Sequence, residues 1–170
     1  MLINRTDLQP IVNLEGQTCF GCGADNPAGL HMAFHTDGQR LYSFVSVPPS
    51  MVGWDRIAHG GILSTILDEI MGWSVIYLLG KIGVTKSMTV EFKKPVQVEQ
   101  PLTAIGAIGE AVSDRQIVVA GEIYNAENTL CARATGTFAV MPAHTAIRLG
   151  VMSADYMERF LPILRQREGA

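Results

Sequence analysis

Two adjacent carboxylates, Asp68 and Glu69, stand in the middle of an apolar stretch, residues 61–79, whose spacing predicts a buried helix. None of the residues three or four positions away is basic, so no salt bridge can form within the helix. A buried carboxylate without a cationic partner has a raised pKa and is a candidate general base or nucleophile. The alternative is an ion pair with a distant cation, such as Arg133 or Lys81.

Two glycines, Gly60 and Gly61, open the same predicted helix. A helix N-terminus presents N–H groups without acceptors and the positive end of the helix dipole. Because glycine has no side chain, a ligand can approach this backbone closely. The oxygen of a thioester carbonyl under attack is one anion that would suit such a site. A tight turn that binds nothing is the alternative.

The distance between Asp68 and Gly60 has a consequence for assembly. Eight helical residues span about 12 Å, whereas a nucleophile and an oxyanion donor must both lie within about 3 Å of the reacting atoms. If both residues act in catalysis, they come from two antiparallel chains. The sequence therefore predicts a homo-oligomer, either a dimer or a dimer of dimers.

The rest of the chain predicts an antiparallel sheet around this helix. Apolar patterns predict strands at 30–35, 40–47, 87–92, 102–112, 115–124 and 130–141. A second helical pattern follows Ser153, and one helix segregated from the strands favours an α+β fold. We divide the chain into an N-terminal loop segment (1–29), a domain of five to six strands around one helix (30–141) and a C-terminal amphipathic helical tail (142–170).

Composition excludes several functional classes. The chain has 170 residues, a formal net charge of −3 and 7% aromatic residues, which argues against a nucleic-acid partner. We expect no membrane span, because no apolar run approaches about 18 residues. The N-terminus lacks the apolar stretch of a signal peptide, and three cysteines do not make a disulfide framework. We therefore expect a cytoplasmic protein.

Several motifs, in order, resemble one known family. His59-Gly60-Gly61 followed by Asp68 is similar to the hotdog-fold acyl-CoA thioesterases of the PaaI-like (4HBT) type. The resemblance covers roughly residues 19–141. It includes a bacterial subgroup's N-terminal signature and three further segments: Cys19-Phe-Gly-Cys-Gly23, Asn26-Pro27 with Gly29-Leu30, Gly53-Trp54, Leu67–Gly72 and Thr85–Pro95.

The resemblance implies an enzyme that hydrolyses an acyl-CoA or acyl-carrier thioester to a free acid and a thiol. It implies Asp68 as base or nucleophile, the Gly60 N–H of the other chain as oxyanion donor, and a turn shaped by His59. Thr85 would orient the water or the carboxylate. Candidate substrate contacts are Gly61, Glu69, Lys93 and Lys94; Glu69, turned about 100° from Asp68, otherwise supports the site or forms an ion pair. No metal or separate cofactor is expected, since coenzyme A is part of the substrate.

The sequence departs from the family at one place. Many relatives carry Asn or Gln six or seven residues before the histidine, to help hold the carbonyl, and Val52 and Gly53 stand there here. Losing one oxyanion donor typically costs about 10²–10³ in rate. This favours a second hypothesis, a non-catalytic acyl-CoA-binding protein. A hotdog hydratase or dehydratase is less favoured, because the Asp-x4-His spacing is absent.

The remaining polar motifs have simpler interpretations. Cys19, Cys22, His31 and His35 have a zinc-like order, but strand positions four apart are about 13 Å separated, too far for one ion. A redox pair is an alternative, and two packed thiols in a glycine-rich loop is the preferred interpretation. Ser64 is expected to bond the carbonyl four residues back rather than to act in a catalytic triad.

Overall fold

The structure is a computed structural model, and it describes residues 5–166. Seven strands form one antiparallel sheet, and two more form a short ribbon. The sheet contains β1 (Gln9–Ile11), β2 (Phe34–Thr36), β3 (Leu41–Ser46), β6 (Ile82–Phe92), β7 (Pro101–Ser113), β8 (Gln116–Asn125) and β9 (Leu130–Met141). Their spatial order is β1-β2-β3-β7-β8-β9-β6, and the ribbon pairs β4 (Val52–Trp54) with β5 (Ile57–Ala58). The helices are α1 (Gly60–Leu79), α2 (Ala143–Arg148) and α3 (Ala154–Leu164), with single 3₁₀ turns at Arg5–Asp7 and Pro49–Met51.

The long helix α1 lies against the concave face of the sheet. Several of its apolar side chains, including Ile66, Ile70 and Val75, have no exposed surface and form the centre of the core. The helix comes close to the strands where they carry glycine: a Cβ on Gly106 would lie 2.3 Å from the Ser74 hydroxyl. Gly80 ends the helix in the left-handed conformation (φ 60°), as its position in the sequence predicts.

By length and composition alone, α1 could cross a membrane, which corrects the expectation that no stretch of this chain is apolar enough. Just over half (56%) of its most apolar window is buried inside the molecule. The apolar circumference of α1 is therefore explained by its position in the core.

The predicted elements are largely confirmed, and the differences are local. The hairpin of β7 and β8, strand β9 and the helix after Ser153 appear as expected. The sheet gains a strand inside the segment 1–29 that was predicted to be loop. The strand expected from residue 30 begins only at Phe34, since His31 adopts a positive φ of 50°. The sequence analysis also missed β4, β5 and α2, which are two to six residues long.

The C-terminal helix α3 packs on the body of the chain. Ser153 caps it, its hydroxyl accepting a hydrogen bond from the Tyr156 N–H at 3.2 Å. Phe160 is buried against Trp73 of α1, with ring centroids 6.5 Å apart. This contact closes one end of a cavity that also borders the two adjacent carboxylates.

Strand β6 forms one edge of the sheet. It pairs with β9 on one side, and its other side has no strand partner within residues 5–166. Most of its eleven residues are exposed. Because β6 follows α1 directly, it carries Thr85 alongside the middle of the helix.

Candidate active site

Asp68 lies on a half-buried face of α1, beside strand β6. The Thr85 hydroxyl donates a hydrogen bond of 2.7 Å to Asp68 Oδ1. Both residues line a cavity of about 200 Å³, whose inner wall is largely apolar and includes Phe138 and Ile76. The structure thus brings together the two residues that the resemblance paired, and it holds one carboxylate oxygen in a fixed direction.

Glu69, one residue further along α1, has different surroundings. Its carboxylate lies under the loop of residues 17–23, with Oε1 3.3 Å from Cys19 Sγ. No ion pair involves it among the described residues. Burial, together with the neighbouring Cys19 charge, raises the pKa of Glu69 to about 8. The buried, unpaired carboxylate that the helix pattern predicts is therefore present at Glu69.

The two loop thiols also differ from each other. The pKa of Cys19 falls to about 5, chiefly because Cys22 donates a hydrogen bond to its sulfur. The N–H groups of Cys22 and Gly21 add to this effect, against the opposing effect of burial. The same hydrogen bond and deep burial raise the pKa of Cys22, whose sulfur accepts a bond from the Trp73 indole at 3.4 Å. Both thiols line the cavity that contains Asp68.

The N-terminus of α1 has one occupied and one free N–H group. His59 is the capping residue, and its Nδ1 accepts a hydrogen bond from the Gly61 N–H at 2.9 Å. The Gly60 N–H has no acceptor within residues 5–166. His59 therefore shapes the turn, as expected, while Gly60 retains an unpaired donor of the kind an oxyanion needs.

A second cavity, of about 320 Å³, opens at this helix end. Its lining includes Gly60, Lys93, Lys94 and two aromatic side chains, Trp54 and Phe92. Trp54 is 84% exposed and Phe92 is 55% exposed, which is unusual for residues of this size. The sequence analysis did not assign a role to either aromatic residue, because exposure is set by tertiary structure.

The nearby cations do not pair with the two carboxylates of α1. Arg133 Nη2 lies 2.8 Å from Glu91, which also binds the ammonium group of Lys93. Lys94 forms no ion pair in the described part of the chain. The alternative in which Arg133 neutralises Asp68 or Glu69 is therefore wrong, and Lys94 is the cation left available at the second cavity.

Neither residue at the two positions where relatives carry Asn or Gln has a polar side chain. Gly53 packs against His59, and a Cβ there would lie 3.2 Å from His59 Cα. Val52 is partly exposed on the short ribbon and offers no polar group. No side-chain amide therefore replaces the missing residue at these two positions.

The other motifs behave as simple structural features. Ser64 donates to the Gly60 carbonyl at 2.9 Å, as predicted. His31 Nδ1 is 3.1 Å from the Gly23 carbonyl, and His35 accepts a hydrogen bond from Arg5. The histidines form no cluster with the cysteines in the described residues. A third cavity, of about 360 Å³ between β3, β7 and the turn after β8, has a phenol, Tyr124, as its only titratable lining group.

The central segment of the chain matches a protein-family model. Residues 56–132 match the model of the thioesterase superfamily (4HBT). This segment is similar to proteins of the thioesterase superfamily. A search of curated proteins found no match.

Solved structures of thioesterase-superfamily proteins share the fold of the chain. One such protein is 26% identical, with a TM-score of 0.63 over 69% of this chain and 57% of that one, so the chain spans less than two thirds of its length. A hypothetical thioesterase of Streptococcus pneumoniae, solved with coenzyme A, is 29% identical (TM-score 0.58, 61% of this chain, 82% of that one). The E. coli PaaI protein is 20% identical (TM-score 0.60, 65% and 80%), and at that identity it shows the fold alone. The chain has the hotdog fold, a long antiparallel sheet wrapped around a central helix, as the resemblance implied.

Proposed function

We propose that this protein hydrolyses an acyl-CoA-type thioester to a free acid and a thiol. The observation that carries the proposal is the placement on one helix of an oriented carboxylate, Asp68, and an unpaired N–H, Gly60. They are the two groups that thioester hydrolysis requires, a base or nucleophile and an oxyanion donor.

Asp68 acts on the thioester carbonyl carbon, either by taking a proton from water or by attacking the carbon directly. Both routes need the ionised carboxylate, and both place negative charge on the carbonyl oxygen. Thr85, by donating to Oδ1, leaves the other carboxylate oxygen free to face the substrate. The Gly60 N–H receives the oxyanion, and collapse of the intermediate breaks the carbon–sulfur bond and expels the thiolate. In the water route, the water oxygen has bonded to the carbon, so collapse gives the acid directly, and the proton held by Asp68 passes to the thiolate. In the direct route, collapse leaves an acyl anhydride on Asp68, which water hydrolyses to release the acid and restore the carboxylate.

A complete site needs two chains, because Gly60 and Asp68 are about 12 Å apart along α1. The open edge of β6 supports this assembly, since an eleven-residue strand with one edge unpaired within residues 5–166 readily pairs with a second copy. An antiparallel pair would bring the second cavity of one protomer towards the first cavity of the other. We propose a homodimer, or a dimer of dimers, with two equivalent sites.

The second cavity supports coenzyme A, or the similar arm of a carrier protein, as the thiol part of the substrate. Lys94 supplies a positive charge for a phosphate, and exposed Trp54 and Phe92 supply faces for stacking. The S. pneumoniae thioesterase that is 29% identical was solved with coenzyme A, which is consistent with this assignment. We propose that catalysis takes place in the cytoplasm.

The first test is thiol release from short, medium, long and aromatic acyl-CoAs, measured beside Asp68→Asn. We expect release from at least one class and loss of release in the variant, which keeps the shape of the side chain and removes its charge. If Asp68→Asn keeps most of the activity, Asp68 is not the base.

Mixing two inactive variants tests whether the site is shared. Gly60→Pro removes one N–H, and Asp68→Asn removes one charge. After subunit exchange at equal concentrations, about a quarter of wild-type activity should return, because half of the dimers are mixed and each has one intact site. No recovery, with exchange verified by mass spectrometry, would contradict a site built from two chains.

One observation favours a second function, the binding of acyl-CoA without turnover. The carbonyl-holding Asn or Gln of relatives is replaced by Val52 and Gly53, which present no amide to the substrate. Under this alternative, isothermal titration calorimetry gives binding of the acyl-CoA panel while no thiol is released. Product analysis in the same assay also separates hydrolysis from hydration, since a hydratase leaves the thioester intact.

A further inference from the structure

Three metal-ligating side chains meet at the boundary between the N-terminal loop and α1. The sulfur atoms of Cys19 and Cys22 and a carboxylate oxygen of Glu69 all lie within 4.8 Å of one another. Among residues 5–166, this is the only such group of three histidine, cysteine or acidic side chains. It is distinct from Asp68 and Thr85, although it borders the same cavity.

The loop is shaped to hold its two sulfur atoms against the helix. A Cβ on Gly21 would lie 2.2 Å from Glu69 Cγ, and one on Gly23 would lie 2.4 Å from the Cys19 nitrogen, so only glycine fits at either place. The Gly23 N–H donates to the Cys19 carbonyl at 2.9 Å, which closes a tight turn between the cysteines. The N–H groups of Gly21 and Cys22 point towards the Cys19 sulfur and stabilise it as a thiolate. A pair of cysteines two residues apart is the spacing of many zinc sites.

The cluster of Cys19, Cys22 and Glu69 contains no positively charged group. Glu69 is mostly buried and has no cationic partner in the described part of the chain. Placing a thiolate beside a buried carboxylate is costly unless a proton or a cation lies between them. A divalent ion would satisfy both groups at once.

We propose that Cys19, Cys22 and Glu69 bind a divalent transition-metal ion of the zinc class. In a tetrahedral site with bonds of about 2.3 Å to sulfur and about 2.0 Å to oxygen, a sulfur and an oxygen ligand are about 3.5 Å apart. Cys19 Sγ and Glu69 Oε1 are already 3.3 Å apart. The ion would fasten the loop of residues 17–23 to α1.

Three protein ligands leave the fourth tetrahedral position for a water molecule. Gln17 Oε1 lines the same cavity, is buried and has no hydrogen-bond partner within residues 5–166, so it is available to accept a bond from that water. Binding releases the protons that Cys22 and Glu69 hold at neutral pH, and no electrons are transferred.

This proposal departs from the sequence prediction of no metal. That prediction considered His31 and His35 as partners for the cysteines, and neither joins the cluster. Glu69 is 47 residues beyond Cys22 in the chain, and only the folded structure places it beneath the loop.

Metal titration of the full chain tests the proposal. Chelator-treated protein with reduced thiols is titrated with Co²⁺ and followed by absorption spectroscopy, and the ion is then displaced with Zn²⁺. We expect one Co²⁺ per chain, sulfur-to-cobalt charge transfer and the intense visible bands of a tetrahedral ion. Cys22→Ser should abolish these bands, and Glu69→Gln should weaken Co²⁺ binding at least tenfold. Cys131→Ser, which changes a buried thiol elsewhere, should leave the titration unchanged.

A thermal measurement keeps the proposal falsifiable if a variant fails to fold. Saturating Zn²⁺ should raise the Tm of the wild-type chain and of Cys131→Ser by about 5 °C or more. The proposal is overturned if the reduced wild-type chain shows neither a tetrahedral cobalt spectrum nor a Tm increase. It is also overturned if Cys19→Ser and Cys22→Ser, shown to be folded, bind Co²⁺ like wild type. No readout requires thioester turnover, so this proposal and the hydrolase proposal can fail separately.

Discussion

The two ends of the candidate site lie on one helix and differ in chemistry. At its N-terminus, α1 offers an N–H with no acceptor in the described chain, and Lys94 and two exposed aromatic rings from other segments line the cavity beside it. Near its middle, α1 offers two carboxylates, and the loop of residues 17–23 adds two thiols around a smaller cavity beneath α3. One end is suited to receiving negative charge and the other to supplying it. Under the proposed assembly, each protomer therefore contributes its N–H half to one active site and its carboxylate half to another.

The largest expected effect is at the carboxylate half. Asp68→Asn should lower kcat/KM for thioester hydrolysis by about 10³-fold, within the range typical for loss of a positioned acid or base. Asp114→Asn, an exposed acid in the turn between β7 and β8, is the matched control and should retain full activity. Steady-state thiol release decides the result, and equal losses in the two variants would contradict the assignment.

The next effect is at the N–H half. Gly60→Pro removes the oxyanion donor and should keep the helix, since proline is well tolerated at the first position of a helix and His59 already has the extended conformation (ψ 136°) that proline requires. We expect a loss of about 10²–10³ in kcat relative to Gly60→Ala. Both variants add a Cβ near Phe92, so the alanine variant controls for that contact, and proline differs from it by the ring that replaces the N–H. Similar kcat values for the two would show that this N–H does not bind the oxyanion.

Thr85 connects the carboxylate half to strand β6, and its effect should be smaller. Thr85→Val removes the hydroxyl that donates to Asp68 and should reduce kcat about tenfold, equivalent to about 1.4 kcal/mol. Thr85→Ser keeps the donor and should stay within about twofold of wild type, an order-of-magnitude limit for a retained hydrogen bond. A Ser variant as slow as the Val variant would point to packing of the methyl group instead.

The smallest expected effect is on the pH dependence of folding stability in the metal-free chain. It tests which of Glu69 and Cys19 holds a proton. Between pH 5 and 8 the folded chain holds a proton on Glu69 (pKa about 8) and none on Cys19 (pKa about 5). The unfolded chain holds the proton on Cys19 instead, so the pair contributes no pH slope to stability in this window.

Cys19→Ser should reveal the contribution of Glu69 to the pH dependence of folding stability. Without the Cys19 charge, burial still holds the folded-state pKa of Glu69 above its unfolded value of 4.5. The resulting stability is fully present below pH 4.5 and is lost as pH rises through the raised folded-state pKa. The Tm of the metal-free variant should therefore fall from pH 5 to pH 8 relative to wild type and to Cys131→Ser. Parallel Tm profiles for all three proteins would contradict these proton positions.

Elements with a strong period were predictable from sequence, and contacts between distant segments were not. The apolar spacing of 61–79 predicted α1, and Ser113-Asp114 predicted the hairpin between β7 and β8. The ribbon of β4 and β5 has too few residues to show a period. The pairing of Asp68 with Thr85 came from the family resemblance and is confirmed as a hydrogen bond, whereas the catalytic roles stay predictions.

The surroundings of Glu69 show why the remaining features of the site could not be predicted from the sequence. An apolar helix pattern predicted a buried, unpaired carboxylate but did not distinguish Asp68 from Glu69. The distinction depends on Gly21, which allows the loop to pack directly on Glu69, and on α3, which closes the cavity beside both. These contacts join residues about 50 to 90 positions apart, and no local pattern encodes them.

The sheet order also determines when this site can exist during synthesis. Strand β6, which carries Thr85, has β9 as its only strand partner in the described chain, with Ile82 opposite Met141. A nascent chain that ends before β9 has only the contacts between β6 and α1 themselves to hold this strand, so the partner of Asp68 lacks the support of the sheet. Non-local pairings of this kind form late and slowly. Both the completed edge and the firmly oriented carboxylate therefore await the synthesis of β9.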